Sequence, residues 1–177
     1  MFKIFDSIFF IRLMAAAFLF YSASCNKDRQ EGIPISYVNV LTIPAGLNVF
    51  DTHIFELPAE NPRLGVFLPT TDTAQIESIV SSLLTIRTLQ SNTDLSFIRR
   101  AIVRISADGL PEREVAFREE IPFNTGLDLN LIPSLSELKP YFMQDNFRLI
   151  VRLNFRNISP ETMTLQVDSR FQAVLVE

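Results

Sequence analysis

Phe147–Phe155 reads FRLIVRLNF, and Met163–Leu175 reads MTLQVDSRFQAVL. In the first stretch Phe147, Leu149, Val151, Leu153 and Phe155 alternate with Arg148, Ile150, Arg152 and Asn154. In the second, Met163, Leu165, Val167, Phe171, Ala173 and Leu175 alternate with Thr164, Gln166, Asp168, Arg170 and Gln172. Strict alternation gives a strand one dry face and one wet face, which marks an antiparallel sheet packed on one side. Asn157–Glu161, with Pro160, is a short turn between them, so the two strands are expected to form a hairpin. Its wet face would bring Arg148, Arg152 and Arg156 near Gln166 and Asp168.

The same period continues toward the N-terminus. Phe97–Ser106 and Glu114–Ile121 flank Asp108-Gly109-Leu110-Pro111, a strong turn signal, and predict a second hairpin. Leu127, Leu129 and Leu131 alternate with Asp128 and Asn130, giving a further strand. Ile35–Ile43, Thr52–Leu57 and Leu64–Leu68 are predicted strands, broken by Pro44-Ala45-Gly46 and by Pro58–Pro62. Two segments read as helical. Ser134-Leu135-Ser136-Glu137 has capping-box spacing, and Pro140 is expected to stop that helix within two turns. In Thr73–Leu84 the residues Ile76, Ile79, Val80, Leu83 and Leu84 fall at helical spacing, and Leu84–Leu89 reads as a strand. The expected fold is therefore mainly β: an antiparallel β-sandwich of about seven or eight strands with one or two short helices.

The first residues carry a different message. Lys3 and Arg12 stand against a single Asp6, Leu13–Tyr21 is uncharged and apolar, and Ser22-Ala23-Ser24 are small. A basic start, a short apolar core and a small-residue exit are the anatomy of a secretory signal peptide. The apolar block is too short to span a bilayer, which takes about 20 residues. Directly after it comes Cys25, the only cysteine. Ser22-Ala23-Ser24-Cys25 resembles the lipobox of bacterial lipoproteins, with Ser22 at the position where that family usually has Leu. The resemblance implies lipidation of the Cys25 thiol and cleavage before it. Thioether formation suits a thiol nucleophile, and each buried CH₂ of an acyl chain adds about 0.8 kcal/mol of anchoring. Cys25-Asn26-Lys27-Asp28 is also similar to the start of the surface-export signal of Bacteroidetes-type lipoproteins, from which Arg29 departs.

The organisation expected from this is a signal peptide over 1–24, a lipidated cysteine and polar tether over 25–33, and one domain over 34–177. The implied address is the bacterial cell envelope, at the outer membrane, facing the periplasm or the cell surface. Loss of Lys3, Arg12 and Asp6 with the leader takes the formal charge from −4 to −5. Mild acidity points away from nucleic acid as a partner, since phosphate calls for a basic surface. Cys25 precedes the domain, so no internal disulfide is expected to hold it.

Chemistry-bearing motifs are sparse. The sole histidine, His53, has Asp51 two residues before it, which makes them a candidate acid/base pair for a hydrolase of unfamiliar type. No G-x-S-x-G, H-E-x-x-H or Gly-rich phosphate loop accompanies them. Glu112 with Glu114, and Glu119 with Glu120, are carboxylate pairs interleaved with arginines and read as surface ion pairs. Thr70-Thr71-Asp72-Thr73 and Asn92-Thr93-Asp94 offer too few oxygens for calcium and read as turns or caps. No metal or cofactor is expected. The lack of Trp and the dominance of Phe lower the expectation of a sugar platform. Phe123, Tyr141, Phe142 and Met143 are candidates for an exposed apolar patch that meets a partner. The leading expectation is a noncatalytic interaction module, held to the membrane by its lipid and binding an envelope protein or component. The alternatives are the His53/Asp51 hydrolase and an apolar-ligand carrier with its slot between two sheets.

Overall fold

The structure, a computed structural model, describes residues 32–68, 73–89 and 92–176. The expected signal peptide, Cys25 and nearly all of the expected tether lie outside them, as do 69–72. Eight strands and two one-turn helices follow in chain order: β1 Ile33–Ile43, β2 Thr52–Glu56, α1 Leu64–Phe67, β3 Ile76–Thr88, β4 Ile98–Ala107, β5 Arg113–Arg118, β6 Asp128–Pro133, α2 Lys139–Phe142, β7 Phe147–Phe155 and β8 Met163–Leu175. All strand pairs are antiparallel, in the order β1-β8-β3-β6-β5-β4-β7-β2.

The mainly β expectation holds, but the sandwich does not. The strands form one sheet curled into a half-barrel. The strand that makes it one sheet is β6. Asp128–Leu131 pairs with β3, while Ile132 and Pro133 pair with β5. The curl brings β1 across from β7: the Tyr37 ring lies 5.3 Å from Phe147, edge-on. Phe142 of α2 fills the space between, 4.9 Å from Phe147 and 5.0 Å from Phe171. An apolar slot between two sheets therefore has no place here, because the inside of the curl is occupied by its own aromatic side chains. The seam between β1 and the β2–β7 edge is closed by 57–68. Leu57 N–H donates to Leu149 O, Glu60 and Phe147 exchange backbone bonds, and the Tyr37 hydroxyl donates to Pro62 O at 2.6 Å.

The expected β7–β8 hairpin is not formed. β7 lies between β4 and β2, and β8 between β1 and β3. The linking segment is held by the β1–β2 loop instead. Ser159, 2% exposed, donates its hydroxyl to Pro44 O at 2.7 Å and accepts from Leu47 N–H at 3.0 Å, while its carbonyl accepts from Gly46 N–H. The link thus crosses from one half of the curl to the other. The expected cross-strand partners change accordingly: Arg148 meets Glu56, Arg152 meets Glu112, and Asp168 takes Arg87 at 3.2 Å. The β4–β5 hairpin forms as expected, with Gly109 at φ +74° in its turn and a bulge at Val103/Arg104.

Three local expectations fail for identifiable reasons. Ile76–Thr88 is one 13-residue strand: the helix expected over Thr73–Leu84 is replaced by its first part, and the strand expected from Leu84 is its second. Register shifts at Ile76/Ser78 and Ser81/Leu83 each insert an extra residue, so buried positions fall at Ile76, Ile79, Ser81, Leu84, Thr85 and Ile86. Two bulges stretch a period of two until it imitates helical spacing. Ser134–Leu138 forms no helix, because Glu137 does not reach back to Ser134. Its Oε1 accepts from Ile79 N–H at 3.1 Å and from Lys139 N–H at 2.6 Å. Pro140 then sits in the first turn of α2 and opens that helix rather than ending one, as its fixed φ and missing N–H allow. Leu64–Leu68 turns once as α1 after Arg63, whose φ of +46° breaks the extended run.

Two outcomes follow from this core. Phe171→Ala should cost about 3–5 kcal/mol in denaturant unfolding, whereas Phe50→Ala, at 92% exposed, should cost under about 0.5 kcal/mol. Burial, reinforced by the Glu60 carboxylate and opposed by Arg63, raises the Tyr37 hydroxyl above its ordinary value of 10.0. The unfolded chain then ionises first, so the stability Tyr37 provides is complete below pH 10.0 and declines above it. Tyr37→Phe should flatten that alkaline decline in a series of unfolding curves.

Candidate ligand-binding cleft

A concavity of about 770 Å³ opens at one end of the curled sheet. Three chain segments meet there: the start of β4, the segment after β5 and the end of β7. Backbone bonds fasten them together. Ile121 N–H donates to Arg99 O at 2.9 Å, and Arg156 N–H to Phe97 O at 2.8 Å. Leu95 N–H donates to Gly126 O at 2.8 Å, which holds the 122–126 turn against the Leu95–Phe97 turn. Thr125 closes its own turn on Pro122 O, and Gly126 supplies the positive φ.

The cleft is lined by arginines, carboxylates and one aromatic ring. Arg100 pairs with Glu119: its Nη2 donates to Oε1 at 2.8 Å, while Nε lies 2.6 Å from Oε2 as a charge contact without hydrogen-bond geometry. Arg156 bonds the Ile121 carbonyl and lays its guanidinium 3.9 Å from the centre of the Phe123 ring. Phe123 is 81% exposed, so its contact with Arg156 is what holds a large apolar ring at the surface. Arg99 and Glu120 line the same cleft and take no ion pair among the described residues. The arrangement offers an aromatic ring, the Arg100–Glu119 ion pair, and one guanidinium (Arg99) and one carboxylate (Glu120) without an ion pair among the described residues. It can receive an apolar group flanked by a charged one.

The residues singled out from sequence scatter. Phe123 lies in this cleft, but Tyr141 and Phe142 are buried at 3% and 2% exposure, so those two pack on the core and the candidate exposed patch is not assembled. Tyr141 anchors α2 by donating its hydroxyl to Pro111 O, and Phe142 packs inside the curl. Apolar side chains of a one-turn helix beside the core turn inward because burial is worth about 1.5–3 kcal/mol each.

Asp51 and His53 are not bonded to each other. Both are fastened to Asn48: Asn48 Nδ2 donates to Asp51 Oδ2 at 2.7 Å, and His53 Nε2 lies 2.9 Å from Asn48 O. Asn48 Oδ1 also accepts from Phe50 and Asp51 N–H, a side-chain-built turn that leads into β2. The His53 ring stacks on Phe155 at 4.9 Å. Neither residue lines this cleft or the smaller one of about 390 Å³ beside Glu56 and Arg148.

One member of each carboxylate pair is held by arginines. Glu112 accepts from Arg104 at 3.3 Å and Arg152 at 2.7 Å, and Glu119 is held by Arg100. Asp94 caps the Leu95–Phe97 turn, while Thr70–Asp72 fall outside the described residues. Among the described residues no group of three or more His, Cys, Asp or Glu is placed to hold a metal ion. No protein-family model and no curated protein matches the chain.

The role of Arg156 escapes the sequence because Phe123 and Ile121 are distant from it along the chain. The one available signal is Phe123 itself, an aromatic residue in the Pro122–Gly126 turn segment.

Two checks address this geometry. Arg156→Lys should lose the planar stack and the carbonyl bond and destabilise the domain by about 1 kcal/mol in chemical unfolding. Hydrogen bonds from the Ser96 hydroxyl and N–H hold the Asp94 carboxyl below its ordinary titration range. The stability it contributes is therefore present above that range and lost as pH falls through its lowered midpoint. Ser96→Ala should move the Asp94 midpoint upward in an NMR titration.

Proposed function

We propose that this chain is a lipid-anchored, noncatalytic binding module of the bacterial cell envelope, tied to the membrane through Cys25. In this reading the Arg99–Arg156–Phe123 cleft meets an envelope protein or component that carries an acidic group beside an apolar one. The observation that carries the anchor is the placement of the sole cysteine directly after a basic, apolar and small-residue leader. About eight residues join Cys25 to Ile33, so an extended tether reaches at most ~28 Å. The domain is kept close to the bilayer, at the outer membrane on either its periplasmic or its surface side.

Three features support binding rather than catalysis. Asp51 and His53 are each committed to Asn48 in a turn. Glu112 and Glu119 are each committed to arginines. The cleft residue Arg99, by contrast, is exposed and takes no side-chain hydrogen bond or ion pair among the described residues, and Phe123 is exposed beside Arg156.

Intact-mass and N-terminal analysis of the chain from a bacterial envelope tests the anchor. Diacylglycerol on a new N-terminal Cys25 is expected, and Cys25→Ala should leave the membrane fraction. An unmodified Met1 terminus would overturn the reading. For the cleft, envelope extract is passed over wild-type protein and over Phe123→Ala and Arg99→Glu variants. A component retained by wild type and lost from both variants is expected. Equal retention by all three rules out the cleft as the binding site.

A further inference from the structure

The cleft rests on an irregularity in β4. Ile98 faces Phe155 of β7 and Arg100 faces Asn154, so Arg99 is an extra residue with no partner in that ladder. Neighbours in a regular strand point to opposite faces. Here Arg99 and Arg100 both lie outside the core, between buried Ile98 and Ala101, because a bulge re-aims a side chain. Arg100 then pairs with Glu119, which leaves Arg99 exposed and without an ion pair among the described residues. The Arg99 carbonyl accepts from Ile121 N–H at 2.9 Å, so Glu120 is carried on the segment laid against the bulge. Glu120 is exposed too, and no ion pair joins it to Arg99. Two opposite charges thus border one cleft without neutralising each other. Phe123 stands beside them, 81% exposed, with Arg156 against its ring.

Each of these groups calls for a different complement. A guanidinium matches a carboxylate in shape as well as charge, through two parallel N–H donors. A carboxylate only accepts, so Glu120 calls for an N–H donor. The Phe123 ring calls for an apolar group. A phosphate dianion fits poorly, because Glu119 and Glu120 line the same cleft and repel its second charge. The last residue of a polypeptide carries all three complements on one Cα: the terminal carboxylate, the amide N–H and the side chain. Along an extended internal segment, an acidic side chain and its apolar neighbour point to opposite sides instead.

We propose that the cleft takes the C-terminus of a polypeptide whose last residue is apolar. The terminal carboxylate meets Arg99, the last amide N–H meets Glu120, and the last side chain lies on Phe123. Capture of a terminal carboxylate is a recurring mode of peptide recognition. The proposal rests on the reading of this cleft as a binding site and names the group that it binds.

The test is fluorescence anisotropy of dye-labelled peptides titrated with the full chain in detergent. Three peptides end in phenylalanine: one with a free carboxylate, one as the carboxamide, and one carboxamide with glutamate placed before the phenylalanine. The free acid is expected to bind about tenfold more tightly than either carboxamide. Arg99→Gln is expected to erase that preference, and Phe123→Ala to weaken the free acid and the carboxamide by the same factor. Should Arg99→Gln fail to fold by circular dichroism, Arg99→Lys takes its place and is expected to reduce the preference. Equal binding of free acid and carboxamide overturns the proposal. So does a preference untouched by the Arg99 variant, or a glutamate-bearing carboxamide that binds as tightly as the free acid. If no peptide binds while an envelope component is still retained through Arg99 and Phe123, the chain-end assignment fails and the cleft stands as a binding site.

Discussion

The divided pairing of β6 is the constraint on which the rest of this fold depends. Four of its residues belong to the ladder of β3, and its last two belong to that of β5. One short strand therefore joins what would otherwise be two four-stranded sheets. Because the join is so brief, the sheet bends there. The bend sets β1 and β8 across from β7 and encloses Tyr37, Phe142, Phe147 and Phe171 in one aromatic core. The position of α2, the closure of the seam by 57–68, and the crossing link through Ser159 all follow from that bend.

Which parts of this were legible in the sequence depended on whether the cause was local. The alternation in β1, β4, β7 and β8 is local, since a strand with one dry face writes a period of two into its own residues. The β4–β5 hairpin was legible because Asp108-Gly109 supplies the turn by itself. The first part of β3 imitates helical spacing because its two bulges are visible only against β8, where the register slips. The β7–β8 hairpin was inferred from adjacency in the chain, yet Ser159 answers to Pro44 and Leu47, more than a hundred positions earlier. Glu137 had the spacing of a capping box, but the Ile79 N–H took its carboxylate. The site divides in the same way. Phe123 could be marked as an aromatic in a turn, but only folding places Arg156 over its ring and separates it from Tyr141 and Phe142.

Charge is distributed unevenly over this sheet, and the unevenness has a physical logic. The outer face of β2, β7, β4 and β5 carries a ladder in which Glu56 meets Arg148 and Glu112 meets both Arg152 and Arg104. These pairs are solvent-exposed or nearly so, and each is worth at most about 1 kcal/mol. Their larger effect is to keep that face wet and unsuited to packing. Arg87 gives a smaller version of the same device on β3, shared between Asp168 of β8 and Asp128 of β6. The ladder stops at β8. Beyond it β1 presents Ser36, Val38, Val40 and Thr42, with nothing to repel a second strand.

A sheet closed into a full barrel has no edges to protect, and a flat open sheet has two equivalent ones. This half-barrel has two edges with different treatment, and stability alone does not account for the difference. If β1 existed only to cover the core, a lysine at position 38 or 40 would serve as well, since both side chains point away from the core into solvent. An aliphatic residue at position 39 would serve better than an amide whose donor is left unbonded. The strand has the reverse of both, valine where charge costs nothing and an amide where apolar packing costs least.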